Sequence, residues 1–309
     1  MAHLPYDVAY KIFERLAERE PEDRRFMFPF DHPAMLAGPI RDDAPVHLRT
    51  CALVCRSWSL PASTLNIRRF RIWHASADAV TAALSGHDRH LLVQKMEVGR
   101  EWFCPECYSR ALPDGPACRN SMDIPSLLAV LRRCVNVHRL ALNELHTANP
   151  IDEAIILTSP QFHSVRSLRL CGYGSAPADQ RLTPRIFCAM VRLFPSLTHL
   201  AVGSIFTETS QPVDGIPPPT FQLQSFATTT GTSGFRGYEW LLHNSRKSIQ
   251  TVWIYGILDE AAIQSFLNAL ELGVASLRCF HMHPLFWNVS YPRIAGILQR
   301  CTQLGELHR

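Results

Sequence analysis

The chain has 309 residues, of which 47% are hydrophobic and 19% are charged, a balance that excludes a disordered protein and allows a sizeable core. Its formal net charge of +4 is too small to indicate a partner as acidic as duplex nucleic acid. No apolar run approaches the ~18 residues of a membrane-spanning helix, and Asp7 interrupts the start that a secretory signal would need. We therefore expect a soluble, intracellular protein, cytoplasmic or nuclear, without nucleic-acid or membrane partners.

The first predicted element is a helix in "LPYDVAYKIFERL", residues 4–16. Pro5 suits a first helical turn, where a missing N–H is no loss, and Asp7 complements the positive end of the helix. Three apolar residues at a spacing of four, with Phe13 beside them, predict a single apolar stripe along this helix. They are Val8, Ile12 and Leu16.

The next predicted element is a long loop, because residues 17–47 contain five prolines. After it, "LRTCALVCRSW", residues 48–58, predicts a second apolar helix. One face of this helix carries Leu48, Cys51, Cys55 and Trp58, and Leu53 and Val54 widen that face. Two helices with such wide apolar surfaces need partners on more than one side.

From about residue 68 onward, a short pattern of apolar, any and apolar residues recurs along the chain. Taking the first apolar residue of each copy as the register gives spacings between 26 and 32 residues, apart from one of 44. The register residues are Phe70, Met96, Leu140, Leu168, Leu200, Phe226, Val252, Phe280 and Leu307. Such a period is typical of stacked units, each of which buries its apolar face against its neighbours.

Helical apolar spacing follows between most of these copies, in "SLLAVLRRC", "RIFCAMVRLF", "YEWLLHNS", "AAIQSFLNALEL" and "RIAGILQRC". Strands that alternate with helices at one period predict an α/β solenoid with a parallel sheet on its concave face and helices outside. An ordinary α/β sheet with crossover helices is the alternative.

Two insertions interrupt the period, at about residues 100–120 and 206–220. The second contains "ETSQPVDGIPPPTFQ", whose four prolines predict a loop instead of a helix. The first contains Cys104 and Cys107 at a spacing that suits zinc, with Cys118 as a possible third ligand. No fourth ligand is obvious, so we favour a plain surface loop and expect no metal or other cofactor.

Residues 68–309 resemble the leucine-rich repeat in its longer helical form, on the strength of the strand-helix unit and its period. The N-terminal segments resemble the F-box, which has a Leu-Pro start, a helix with Ile followed by Leu, and an apolar-Val-Cys-Arg-x-Trp segment. The matching residues are Leu4, Pro5, Val8, Ile12, Leu16, Leu53, Val54, Cys55, Arg56 and Trp58.

The resemblance implies a helical module over residues 1–66, interrupted by the insert at 17–47, that binds Skp1 in a cullin-based ubiquitin ligase. The expected contacts with Skp1 are Leu4, Pro5, Val8, Ile12, Leu16, Leu53, Val54 and Trp58. Residues 67–309 would then select the protein to be ubiquitinated, and the chain would be a non-catalytic adaptor and not an enzyme. The alternative is a repeat scaffold whose N-terminal helices only cap the array.

Strand alternation directs a second set of residues away from the core, onto the open face of the sheet. We predict a shallow depression there, over small residues that include Ala201 and Ala227. Arg139 and Arg169 flank it on one side and Trp253 and Tyr255 on the other, with His281 on the same face. Because Arg and aromatic residues dominate binding hot spots, we expect this surface to bind an acidic or phosphorylated segment of a substrate protein. An ordinary solvated face is the alternative.

Overall fold

The structure is a computed structural model, and it describes residues 5–18, 43–72, 77–86, 88–98, 123–143, 150–171, 183–203, 215–233, 235, 237–258, 260–282 and 287–308. The first three helices are α1 (Tyr6–Glu18), α2 (Asp43–Val54) and α3 (Arg56–Arg68). They enclose a small core of their own, formed by Ala9, Phe13, Leu48, Ala62 and Leu65. We call these three helices the helical module.

The prediction of one helix over residues 48–58 is wrong, because Cys55 interrupts it. Cys55 has an extended backbone (φ −160°, ψ 163°), and its carbonyl accepts the N–H groups of Trp58 and Ser59. This is the geometry of an N-cap residue, at which a new helix begins. Apolar spacing did not reveal the break, since the apolar residues continue on both sides of it.

The loop predicted for residues 17–47 is also wrong at both of its ends. Helix α1 continues to Glu18, and α2 begins at Asp43, two residues before Pro45. Pro45 is therefore in the first turn of a helix, where proline is tolerated. Residues 19–42, the greater part of the predicted loop, lie outside the described residues.

The rest of the described chain alternates between strands and helices. The strands are β1 (Arg69–Ile72), β2 (Lys95–Val98), β3 (Arg139–Asn143), β4 (Ser167–Cys171), β5 (His199–Gly203), β6 (Ser225–Ser233), β7 (Thr251–Leu258), β8 (Cys279–Met282) and β9 (Glu306–His308). The helices are α4 (Ala77–Leu84), α5 (Arg89–Leu92), α6 (Ile124–Arg133), α7 (Pro150–Thr158), α8 (Pro184–Val191), α9 (Tyr238–Leu241), α10 (Glu260–Glu271) and α11 (Trp287–Gln299). Two short 3₁₀ turns, His243–Ser245 and Val274–Ser276, precede β7 and β8.

The nine strands form one sheet in sequence order, and every pair of neighbours is parallel. Crossovers between parallel strands are right-handed, so successive connections in one direction place their helices on the same face of the sheet. The α/β architecture with a parallel sheet is thus confirmed. We call the strands and helices from β1 onward the array.

The predicted register of the strands is confirmed in full. Each of the nine register residues is the direct partner of the next, from Phe70 with Met96 to Phe280 with Leu307. Most of these side chains are buried in a single continuous core with the apolar faces of the helices. The helices α4, α5 and α7 were not predicted from the sequence.

A repeated backbone hydrogen bond stacks the units with one geometry. The carbonyl of Gln94, just before β2, accepts the N–H groups of His138 (2.9 Å) and Arg139 (3.2 Å) at the start of the next strand. The same pair of bonds recurs at the carbonyls of His138, Arg166, Thr198, Gln224 and Gln250. Equivalent sheet-facing side chains are therefore brought into rows that run across the strands.

Side-chain caps start two of the predicted helices. The Asp123 carboxylate accepts the N–H of Ser126 (2.9 Å) at the start of α6, and the Thr183 hydroxyl oxygen accepts the N–H of Ile186 (3.2 Å) at the start of α8. A proline follows each cap within the first turn. Within the described ranges, no helix combines the length and apolar character needed to cross a membrane.

Candidate protein-binding surfaces

The helical module exposes apolar side chains on all three of its helices. Ten large apolar side chains are exposed among the residues whose exposure is described, and six of them belong to this short part of the chain. They are Tyr6, Val8, Ile12, Leu53, Val54 and Leu60, and we call them the module face. Single exposed apolar residues are ordinary, but a concentration of them is typical of an interaction surface.

The periodicity of α1 explains how its two faces divide. Ala9 and Phe13 are one turn apart and are buried in the module core. Val8 and Ile12 precede them by one residue each, a rotation of about 100°, and remain 44% and 46% exposed. Phe13 therefore lies on the buried face of α1, whereas Val8 and Ile12 lie on an exposed face. Neither Val8 nor Ile12 is part of the module core.

The residues predicted to contact Skp1 are not equivalent in the structure. Leu53 and Val54, at the end of α2, are 87% and 60% exposed. Pro5 is exposed too, and its carbonyl accepts the N–H groups of Val8 and Ala9 to begin α1. Leu4 and the side chain of Leu16 lie outside the described part.

Trp58 differs from the other motif residues, because it belongs to the interior of the module. Its ring meets the edge of Phe13 with centroids 5.3 Å apart and an interplanar angle of 76°. It packs against the module core and is only half-exposed. Sequence reasoning missed Tyr6 and Leu60; their apolar type was visible, but their outward orientation depends on the packing of the three helices.

The break between α2 and α3 also determines the chemistry of Cys55. Its exposed thiol lies 3.1 Å from the Ser57 hydroxyl. That hydrogen bond, helped by the backbone N–H groups of Trp58 and Ser57, lowers the pKa of Cys55. Burial has the opposite effect on Cys134 in the array and raises its pKa to about 11.

Helix α1 is attached to the end of α3 by Arg68. Its guanidinium lies 3.3 Å from the Glu14 carboxylate and 5.2 Å from the centre of the Tyr10 ring. Burial raises the pKa of Tyr10, although the nearby Arg68 charge acts in the opposite direction. The docked position of α1 thus depends on contacts with the last turn before the sheet.

The open face of the sheet, opposite the helices, has a floor of small residues. Ala141, Ala201 and Ala227 occupy equivalent positions on β3, β5 and β6. They are buried, but none of them belongs to the main core. Arg169, on β4, occupies the same row.

Arg169 is already engaged within the sheet. Its guanidinium reaches across Ala141 to the Glu97 carboxylate on β2, at 2.9 Å, and its side chain is only 11% exposed. The small Ala141 side chain leaves room for this pair. Because a substrate would have to displace Glu97, Arg169 is a wall of the surface rather than a binding hot spot.

Aromatic rings stand at the other end of the row. Trp253 on β7 and His281 on β8 are direct strand partners, and their rings stack with centroids 4.6 Å apart and an interplanar angle of 12°. Both side chains are half-buried. Tyr255 lies two residues further along β7, opposite Thr229, and its side chain is outside the described residues.

The early strands bring cations together at the start of the sheet. Arg69, Lys95 and Arg139 are consecutive register partners on β1, β2 and β3. Burial lowers the pKa of His138, and the charges of Arg139, Lys95 and Arg166 lower it further. Three basic side chains thus lie next to one another at this corner of the sheet face.

The described side chains contain no group of three or more His, Cys, Asp or Glu residues that could hold a metal ion. Cys104, Cys107 and Cys118 fall outside the described ranges, so the expectation of a plain surface loop there, with a zinc site as the alternative, stays a prediction. The cysteines of the described helices, Cys51, Cys134 and Cys188 among them, carry no disulfide.

Fold and surfaces together define an α/β protein of stacked strand-helix units, with a three-helix module at one end of the sheet. Comparison with models of known protein families finds no family that matches the chain, and comparison with curated proteins finds no match either.

Proposed function

We propose that the protein is a substrate-recognition adaptor of an SCF-type ubiquitin ligase, in which the helical module binds Skp1 and the array binds a substrate protein. The observation that carries this proposal is the exposure of four F-box motif positions. Val8, Ile12, Leu53 and Val54 match the motif and are all exposed large apolar residues. A residue present only for the fold of the module would be buried.

Energetics support a partner for the module face. Burial of apolar surface contributes about 25 cal/mol per Å², so a partner that covers several such side chains gains appreciable affinity. The array, which we propose to be of the leucine-rich-repeat type, then holds the substrate near the transferring enzyme. Raising its local concentration requires no catalytic residue in this chain.

The test is capture of purified Skp1 by the full chain. We expect the unmodified protein to retain Skp1, and Leu53→Asp or Val54→Asp to lower that affinity at least tenfold, because each places a charge in an apolar interface. Leu157→Asp, on the exposed side of α7, is the matched control, since Leu157 is 46% exposed but lies in the array. Thermal melting of all three variants should stay within a few degrees of the parent.

A second candidate function is a repeat scaffold that does not meet a ligase. The packing of the partly buried Trp58 against Phe13 favours it, because this part of the motif contributes to the fold of the module itself. Failure of the unmodified chain to retain Skp1 would support the scaffold. Equal loss of capture in the Leu157→Asp variant would show that the module face is not the binding site.

A further inference from the structure

The turns that lead from helices into strands form one edge of the array. Five of them, residues 134–138, 159–166, 192–198, 242–250 and 272–278, precede β3, β4, β5, β7 and β8, and every residue in them is described. We call these five turns the turn edge. The repeated hydrogen bond to the carbonyl just before each strand stacks them in sequence order, so equivalent residues lie about 4.8 Å apart for each strand crossed.

The turn edge contains cations and no carboxylate. Neither Asp nor Glu occurs in its five turns, and their Arg and Lys residues are Arg166, Arg192, Arg246, Lys247 and Arg278. Three of these side chains are exposed and two are half-exposed. Within the described chain, none of the five forms a side-chain hydrogen bond or an ion pair.

Helix dipoles explain only part of this charge. A cation in the last turn of a helix faces the partial negative charge of the helix C-terminus, as Arg133 does in α6. Arg166 and Arg278, however, directly precede β4 and β8 and belong to no helix. The cations of the sheet face also differ, because Lys95 and Arg139 already interact within the chain. The cations of the turn edge are therefore available to a ligand.

Large apolar side chains are exposed at the same edge. Val135 and Leu272 lie in its turns, and Leu157 is the second-last residue of α7, directly before the turn into β4. The other exposed one in the described array, Leu91, lies just before β2. All four lie within two residues of a helix end. Exposed apolar groups collected at one place are typical of an interaction surface.

Two side-chain hydrogen bonds hold the turns before β2, β3 and β4 side by side. The Asn136 amide donates to the Leu91 carbonyl (2.7 Å), and the Arg132 guanidinium donates to the Ser159 hydroxyl (3.2 Å). Three of the four exposed apolar residues belong to these units. The turn edge thus has an apolar end near β3 and β4, and its cations continue from there to β8.

We propose that the turn edge binds a partner protein through an acidic segment with large apolar side chains at one end. The apolar side chains lie on Val135 and Leu157, and the carboxylates face Arg166, Lys247 and Arg278. From Val135 to Arg278 the segment crosses five strand spacings, about 24 Å, which an extended chain covers in about seven residues. The proposal does not depend on the ligase, because the turn edge and the module face share no residue.

The apolar end favours a protein over a nucleic acid. Single-stranded nucleic acids bind to cations combined with aromatic side chains on which the bases stack. Phe162 and Phe194, the Phe, Tyr or Trp residues of these turns, are instead buried in the core of the array. A protein segment supplies both carboxylates and apolar side chains, and these are the groups that the turn edge can bind.

The test measures binding of fluorescein-labelled peptides to the full chain by fluorescence anisotropy. The first probe has two leucines followed by about six residues in which glutamate and serine alternate, and the second has the reverse order, to cover both chain directions. We expect saturable binding of at least one probe, weakened by added salt. Replacing its leucines by serine, or its glutamates by glutamine, should weaken binding roughly tenfold.

Three variants and one control locate the site. Arg166→Glu and Arg278→Glu should each weaken binding about three- to tenfold. Val135→Asp should abolish the preference for leucine over serine, because it places a charge at the apolar end. Arg15→Glu, at an exposed position in the last turn of α1, makes the same charge change in the module and should bind normally. All four positions are exposed, so the variants should melt within a few degrees of the parent.

No saturable binding of either probe, or equal weakening by Arg15→Glu and Arg166→Glu, would overturn the proposal. Tighter binding of a single-stranded oligonucleotide that competes with the peptide would also overturn it and identify a nucleic-acid surface. Skp1 capture is measured in parallel: Val54→Asp should lower Skp1 capture alone, and Val135→Asp should lower peptide binding alone. Retained Skp1 without peptide binding rejects the turn edge, whereas peptide binding without Skp1 capture rejects the ligase.

Discussion

The helical module and the array use their apolar residues in opposite ways. Strands β1 to β8 all contribute to one continuous core, and the large apolar residues that the described part of the array exposes are dispersed along the chain: Leu91, Val135, Leu157 and Leu272. In the described part of the module, five residues form the apolar core and six large apolar residues are exposed. The described part of the array thus buries most of its large apolar side chains, whereas the module leaves much of its apolar surface exposed.

The module is small, but it is joined directly to the array. Helix α3 runs without a break into β1 and packs against α5 of the array, and Arg68, its last residue, anchors α1. The boundary predicted between residues 66 and 67 lies inside this helix. A continuous helix transmits the orientation of the module to the sheet, so a partner bound to one has a defined position relative to the other.

The largest expected effect comes from removing the centre of the module core by Phe13→Ala. Truncation of a buried Phe costs about 3–5 kcal/mol, and a core of this size supplies little more. We expect hydrogen exchange to show loss of protection in α1 and α2, while β3–β7 remain protected. Loss of protection across the sheet would mean that module and array unfold as one unit.

Phe226→Ala is the matched change in the array. Phe226 is fully buried and lies near the rings of Tyr238 and Phe266. A similar loss of about 3–5 kcal/mol is expected, but here it should lower the main thermal transition. Together, Phe13→Ala and Phe226→Ala show whether the module core and the array core unfold independently of each other.

A smaller effect is expected from Glu97→Gln, which removes the negative charge beside a largely buried guanidinium in the array but keeps an oxygen that can accept its N–H. Loss of this charge-assisted hydrogen bond should cost about 1–3 kcal/mol, and urea unfolding measures it. Glu153→Gln is the control, because Arg185 of that pair is 45% exposed and exposed pairs contribute less than about 1 kcal/mol. Equal effects would show that the Arg169–Glu97 pair is no stronger than an ordinary surface pair.

Strand register could be predicted from the sequence because each unit carries two apolar residues separated by one, and the period repeats along the chain. The same register placed Glu97, Ala141 and Arg169 in one row, and the ion pair between Arg169 and Glu97 spans Ala141. It was missed because long side chains reach past a neighbouring strand, and residue type alone does not indicate such a contact.

The module was less predictable, for physical reasons. The break at Cys55 depends on backbone geometry at one residue, and apolar spacing is the same on both sides of it. Whether Trp58 or Leu53 faces outward depends on how three helices pack around Phe13. Motif residues could be located in the sequence, but their separation into core and surface required the tertiary structure.

Contact between units of the array can be tested at Gly273. A Cβ added there would lie 2.9 Å from the Arg246 carbonyl oxygen, which belongs to the preceding unit. Gly273→Ala should therefore cost about 1–3 kcal/mol in thermal or urea unfolding, because backbone must move. At Gly296, in α11, nothing lies within 4 Å of the added atom, and Gly296→Ala should stabilise by about 0.5–1 kcal/mol.

A gain in stability is also expected at Thr228, the polar member of an otherwise apolar row in the array. Thr228 on β6 is 1% exposed, and its hydroxyl oxygen has no hydrogen-bond partner among the described residues. Thr228→Val replaces the hydroxyl by a methyl group of similar shape, and we expect stabilisation of about 1 kcal/mol, since a buried hydroxyl without a partner is costly.

The reverse change at the neighbouring position completes this test. Val202 is the direct partner of Thr228 on β5 and is also buried, so Val202→Thr should lose about 1–2 kcal/mol in urea unfolding by the same mechanism. If Thr228→Val is neutral while Val202→Thr is destabilising, the Thr228 hydroxyl forms a hydrogen bond that its described side-chain contacts do not show. Gain at Thr228 and loss at Val202 would show that this row of the array is more stable without a hydroxyl group at either position.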